Sequence, residues 1–150
     1  MIDLISEGLN YKAINIGPLA RLTDHTFIHP KFGTKNEGRI FVGEHLRSTG
    51  SEISFRDLPA KTTITFLHKH RTHEEIYIIL KGSGQYQVDE DIFRIGEGSV
   101  IRVSPDGSRT LCNDSGESMI YMVVQAAAET LKGYDVSDGY RVEGEINIPK

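Results

Sequence analysis

Residues 66–84 read FLHKHRTHEEIYIILKGSG and hold three of the chain's six histidines, His68, His70 and His73, followed at once by Glu74 and Glu75. Apolar and polar side chains alternate through "TITFLHKH", which predicts a β-strand. On a strand, Phe66, His68 and His70 share one face and Leu67 and Lys69 the other, with the two imidazoles about 7 Å apart. A turn at "RTH" then returns the chain through "EEIYIILK", which can lay Glu75, Tyr77 and Ile79 on the same face. Two histidines and a carboxylate meeting in this way form a facial set that binds a divalent first-row metal with coordination positions left open. The spacing also fits a polar turn with solvated or hydrogen-bonded imidazoles. A zinc-protease helix is excluded, because "HEEIY" lacks the second histidine of H-E-x-x-H and its β-branched flank favours a strand.

Short strand-like runs extend outward from this stretch on both sides. They are "KAINI", "RIFVGEHL", "EISFRDL" and "TTITFLHKH" up to His70, then "EIYIILK", "SGQYQV", "DIFRI", "SVIRV", "SRTLC" and "MIYMVVQ". Segments such as "KGSG", "DED", "GEG", "SPDG" and "NDSGE" separate them with turn-forming residues. Many short strands at close spacing predict an all-β sandwich or barrel. The one helix expected is "AAAETLKG" at 126–133, with good helix formers and Gly133 placed to end it. The first 35 residues carry little pattern, and "HPKFGTKNEG" reads as a loop or linker.

A chain of 150 residues is one domain of ordinary size. Its single cysteine, Cys112, rules out an internal disulfide, so a cytoplasmic location is expected. The N-terminus lacks a basic region followed by an apolar core, and no run of eighteen apolar residues occurs, so neither export nor a membrane partner is expected. The net charge of −4 with scattered lysines and arginines leaves no basic stripe for phosphates, so nucleic acid is not an expected partner either. Fifteen glycines suit tight turns better than helices.

The stretch "HKHRTHEEIYIILKG" resembles the first motif of the cupins, H-x-H-x4-E-x6-G, with His68, His70, Glu75 and Gly82 in the motif positions. A partial second motif follows in "GSVIRVSPDGSRTLCND", where Gly98, Pro105 and Gly107 match. The resemblance covers roughly residues 40–125. It departs from the family pattern in one extra residue between Gly98 and Pro105, and in Thr110 at the place of the fourth ligand, a histidine. Asn113 or Asp114 stands near the family's final asparagine.

The resemblance implies an all-β double-stranded β-helix, or jelly-roll barrel, at residues 36–126, with extra N-terminal strands added to one edge. Residues 1–35 would pack on it or lead into it, and 127–150 would form a short C-terminal helix and tail. It implies a divalent transition metal, Fe, Mn, Zn or Ni, on His68, His70 and Glu75, with a small molecule inside the barrel. Thr110 and Cys112 alternate together and would face the interior, where the Cys112 thiolate could supply the missing ligand. Arg109 would fall on the opposite face, as surface charge or as a grip on an anionic substrate. Tyr77 and Gln125 share inward parity and could orient a ligand. His73 is a turn residue or substitute ligand, and His25, His29 and His45 read as solvated or hydrogen-bonded. Uncovered sheet edges before the motifs imply a homodimer. As an enzyme the protein would be a metal-dependent isomerase or dioxygenase. The alternative is a non-enzymatic binding or sensing cupin with a degraded metal site.

Overall fold

The computed structural model describes residues 2–134 and 137–149. Among the described residues thirteen strands run in the order β1 (Asp3–Gly8), β2 (Tyr11–Asn15), β3 (Thr26–Ile28), β4 (Lys35–Glu37), β5 (Arg39–Phe41), β6 (Ser51–Leu58), β7 (Thr62–Thr63), β8 (His73–Lys81), β9 (Ser83–Val88), β10 (Asp91–Gly96), β11 (Val100–Val103), β12 (Arg109–Asn113) and β13 (Met119–Ala127). A 3₁₀ segment, Leu19–Asp24, and one helical turn, α1 (Gly43–Leu46), complete the set.

The pairing is nested. β6 pairs with β13, β7 with β12, β8 with β11 and β9 with β10, all antiparallel. Successive pairs fall alternately in a five-stranded sheet, β11-β8-β13-β6-β5, and a four-stranded sheet, β10-β9-β12-β7. This is a two-stranded ribbon wound back and forth between two sheets, the plan of a jelly roll. The inner faces share one core that includes Tyr77 and Ile79 from β8, Tyr86 from β9, Leu111 from β12 and Tyr121 and Val123 from β13. Among the described residues no ladder closes the two sheets into a single barrel, so the expected barrel is an open pair of sheets.

The outer face of the five-stranded sheet is also covered. Ile2, Ile14, Ile16 and Leu22 pack there against Ile40, Val42, Ile53, Phe55, Leu80 and Ile120. Burial of one sheet on both faces explains why "IYIIL" in β8 is almost continuously apolar. At its end Gly82, at φ +83°, turns the chain into β9, and a Cβ there would stand 2.8 Å from the Ser118 carbonyl oxygen. That motif position therefore needs glycine for both conformation and space.

Four stretches differ from the expectation. The run "TTITFLHKH" is a strand only at Thr62–Thr63. Ile64 N–H then bonds to Leu111 O, while His68 and Arg109 exchange both backbone hydrogen bonds. Four steps forward on one side thus oppose two on the other, so two extra residues bulge out and the parity of His68 is kept. "RIFVGEHL" leaves the sheet after Phe41 and turns into α1, because the Glu52 carboxylate accepts the N–H groups of Gly43, at 2.7 Å, and Ile53. The expected helix at 126–133 is absent. Ala126 and Ala127 extend β13 opposite Glu74 and His73, and Ala128 N–H bonds to Thr72 O, so a tertiary ladder overrides helix propensity. The segment "HPKFGTKNEG", expected as a loop or linker, contains β4 paired with β3, while the extra N-terminal strands that were expected are present as the separate β1–β2 hairpin.

Candidate metal centre

Glu75 is the hub of the centre. It sits on the inner face of β8, 3% exposed, in line with Tyr77 and Ile79. Its Oε2 accepts hydrogen bonds from Tyr77 Oη at 2.8 Å and from Arg109 Nε and Nη2, both at 2.9 Å. His70 Nε2 stands 3.1 Å from Oε1 and His68 Nε2 3.5 Å from Oε2. Neighbouring backbone holds both histidines. His68 is bridged to Arg109, and His70 N–H bonds to Pro105 O. The second motif therefore fixes the first.

One donor atom from each of His68, His70 and Glu75 falls within 4.8 Å of the others, a group that could hold a metal ion. The local electrostatics suit that donor set. Burial alone would raise the Glu75 pKa, but hydrogen bonds from His68, Tyr77 and Arg109 overcome it and bring the carboxyl down to about 2. Burial lowers the pKa of His70 against the opposing pull of Glu75, which favours neutral imidazole. His70 Nε2 is buried and makes no aligned hydrogen bond although it faces the carboxylate. A divalent ion between Nε2 and the carboxylate would give both atoms a partner. Burial raises the Tyr77 pKa well above its usual value, so its hydroxyl stays a donor to Glu75.

The β12 side chain directed at this group is Arg109, fully buried. Its Nη1 also donates to Gly107 O at 2.8 Å, so the guanidinium spans the second-motif turn and the first-motif carboxylate. Guanidinium has no lone pair for a metal, so Arg109 adds no fourth ligand to His68, His70 and Glu75. This corrects the expected parity. Arg109, Leu111 and Asn113 face inward, while Thr110 and Cys112 face the outside of the four-stranded sheet. There Thr110 Oγ1 donates to Ile64 O at 2.7 Å and Thr63 Oγ1 to Cys112 Sγ at 3.0 Å. Neither outward side chain reaches the histidines. The buried neighbours Leu111 and Asn113 fix the register, and Asn113 Nδ2 donates to the carbonyls of Leu58, Pro59 and Glu117.

His73 opens β8 as an exposed residue, its ring 6.5 Å from that of His70, outside the three-donor group. Tyr77 and Gln125 line a cavity of about 450 Å³ that also receives His68, His70 and Glu75. Of the other histidines, His25 Nε2 contacts Ile16 O at 2.8 Å, His29 Nδ1 accepts from two backbone N–H groups, and His45 is exposed. The cavity wall also includes residues that the sequence did not single out, among them Phe27, Phe41, Tyr121, Arg39 and Arg56. The available signal was the alternation Glu52, Ser54, Arg56 in "EISFRDL", a polar face that reads as solvent-facing only if nothing covers Ile53 and Phe55.

Comparison with known proteins agrees with this plan. The Cupin domain family matches residues 55–125. The solved structure of a cupin protein from Bacteroides fragilis is 33% identical, spans 70% of this chain and 89% of its own, and superposes with a TM-score of 0.66. A predicted oxalate decarboxylase from Thermotoga maritima is 20% identical over 69% of this chain and 90% of its own, with a TM-score of 0.56, a likeness of fold alone. An uncharacterized protein of Methanocaldococcus jannaschii is 46% identical over 41 residues, 27% of this chain and only 33% of that protein. Nested pairing of β6–β13 and a relative covered over most of its length together show that the chain belongs to the cupin superfamily.

Proposed function

We propose that this cupin holds one divalent transition metal on His68, His70 and Glu75 and binds a small molecule in the adjoining cavity. The observation that carries the reading is the convergence of the three donors within 4.8 Å at the wall of that cavity. A cavity of about 450 Å³ is within the usual range for small-molecule sites. When bound, the metal would supply Lewis acidity toward a ligand oxygen, the chemistry an isomerase or dioxygenase of this family would use. The chain's own residues do the rest. Tyr77 and Arg109 hold Oε2 of Glu75 in place and keep it ionised, which leaves Oε1 toward His70. Phe27, Phe32, Phe41 and Phe66 supply apolar lining.

Arg109 favours a second reading. A cation held on the ligating carboxylate reduces the negative charge available to a metal, which suits a binding or sensing protein with modest metal affinity. Elemental analysis of protein purified without an affinity tag separates the cases when followed by assays on sugars, acids and aromatic diols. About one metal per chain with metal-dependent turnover supports the enzyme. Metal without turnover supports the sensor, and a metal-free chain that gains none on titration rejects the centre.

A further inference from the structure

The same cavity contains two arginines that the metal centre does not use. Arg39 and Arg56 are directly paired across β5 and β6, and Arg56 is paired with Tyr121 on β13. All three side chains line the inner cavity. Like charges directly opposite on a sheet repel, so the arrangement needs a counter-charge. Among the described residues neither guanidinium has a carboxylate within 4.0 Å, and the Nε atoms of both are buried without a hydrogen-bond partner. The carboxylate in this cavity, Glu75, is already taken up by Arg109. Asp57, next to Arg56 in sequence, lies on the opposite face and accepts from Ser118 Oγ. Burial pushes the Tyr121 phenol up, so it stays neutral and supplies no charge.

Arg39 is also held in a fixed pose. Its guanidinium carbon stands 4.7 Å from the centre of the Phe41 ring and 5.8 Å from that of Phe27, and those two rings are themselves 4.7 Å apart. A planar fork stacked on aromatic rings is set for bidentate recognition of a planar or tetrahedral oxyanion. The β-ladders separate this pair from Glu75. Arg56, Tyr121 and Ile79 form one row and Gln125 and Glu75 another, four residues on, about 13 Å along the strands.

We infer that Arg39 and Arg56 form an anion-binding pair that fixes the carboxylate or phosphate group of an aromatic or similarly apolar small molecule in this cavity. The inference rests on the reading of the cavity as a small-molecule site and is independent of the metal. Its ligand class is an organic acid or phosphate monoester whose apolar body lies among Phe27, Phe41 and Phe66.

Titration calorimetry on the full chain, stripped of metal with EDTA, tests it with three probes that share one ring: benzoate, phenyl phosphate and neutral benzamide. At least one anion is expected to bind about tenfold tighter than benzamide or better, and the tighter of the two identifies the carboxylate or phosphoryl source. Arg39→Gln and Arg56→Gln should each reduce that preference about tenfold. Equal affinity for all three probes would overturn the arginine pair while leaving the small-molecule cavity in place. Binding of none would overturn both. Full preference retained in the folded variants would also overturn the pair. If the glutamine variants do not fold, Arg39→Lys and Arg56→Lys keep the charge and remove the fork. Their preference is expected to fall, and an unchanged one counts against the assignment.

Discussion

β8 and β12 both contribute to the candidate metal centre and both alternate between buried and half-buried residues, yet they place different chemistry inside. β8 turns Tyr77 and Ile79 inward beside Glu75, so its inner face is mainly apolar and bears a single charge. β12 turns Arg109 and Asn113 inward around Leu111, and leaves Thr110 and Cys112 outside. By polarity alone β12 points the wrong way. Across the two facing sheets a buried carboxylate on one strand is matched by an inward cation from another. Glu75, removed from water on β8, needs a cation, and Arg109 supplies one with two hydrogen bonds.

Removing that cation should have the largest effect on stability. Arg109→Leu leaves a buried ionised carboxylate without its charge partner, and unfolding by denaturant should show a loss of about 3–5 kcal/mol. Thr110→Ala, one residue away on the outer face, removes a single hydrogen bond to Ile64 O and should cost about 1 kcal/mol. Equal effects at the two positions would mean that the inward orientation of Arg109 is wrong.

The double variant His68→Ala, His70→Ala tests the first-motif side. Elemental analysis should find essentially no retained metal, while the melting temperature of the metal-free protein stays close to that of metal-free wild type. The apolar core that holds the two sheets does not include these histidines. Stoichiometric metal in the variant would remove the proposed centre.

A smaller effect is expected at Gly82, which turns β8 into β9. Alanine there must adopt a left-handed conformation and approach the Ser118 carbonyl, so a loss of about 2 kcal/mol is expected by thermal unfolding. Gly98 has nearly the same φ, +85°, with open space around it, and its alanine variant should lose less, about 1 kcal/mol. Similar losses would mean that backbone conformation alone, not crowding against β13, restricts the first-motif glycine.

How far the sequence revealed these features depends on the competing forces at each place. β9 has the bounds its alternation predicts, and β8, β10, β11 and β12 lie close to theirs, because in each the turn residues and the periodicity agree. The convergence of His68, His70 and Glu75 was also legible, because the two-residue bulge between Ile64 and His68 conserves parity. The cavity arginines were not. On β6 the apolar Ile53 and Phe55 suggest an inward face, but a second layer from the N-terminal segment buries them, and the polar face carrying Arg56 becomes the cavity wall. The alanines after Gln125 read as a helix because propensity is local, whereas their ladder to Glu74 and His73 is not.

The smallest expected effect is the most specific. A histidine placed at the second-motif position read from the sequence, Thr110→His, would complete a four-ligand centre if residue 110 faced inward. In the structure it faces a cavity of about 240 Å³ on the outside of the four-stranded sheet, beside Gln85, Gln87 and Cys112. The added imidazole would have to cross the sheet to reach Glu75. Titration of metal-free protein should therefore give an affinity within about twofold of wild type, under about 0.4 kcal/mol. A gain of tenfold or more would show that residue 110, not Arg109, occupies the inner face. The register of β12 and the Glu75–Arg109 pair would then fall together, since alternation along one strand allows only one of the two to point at the histidines.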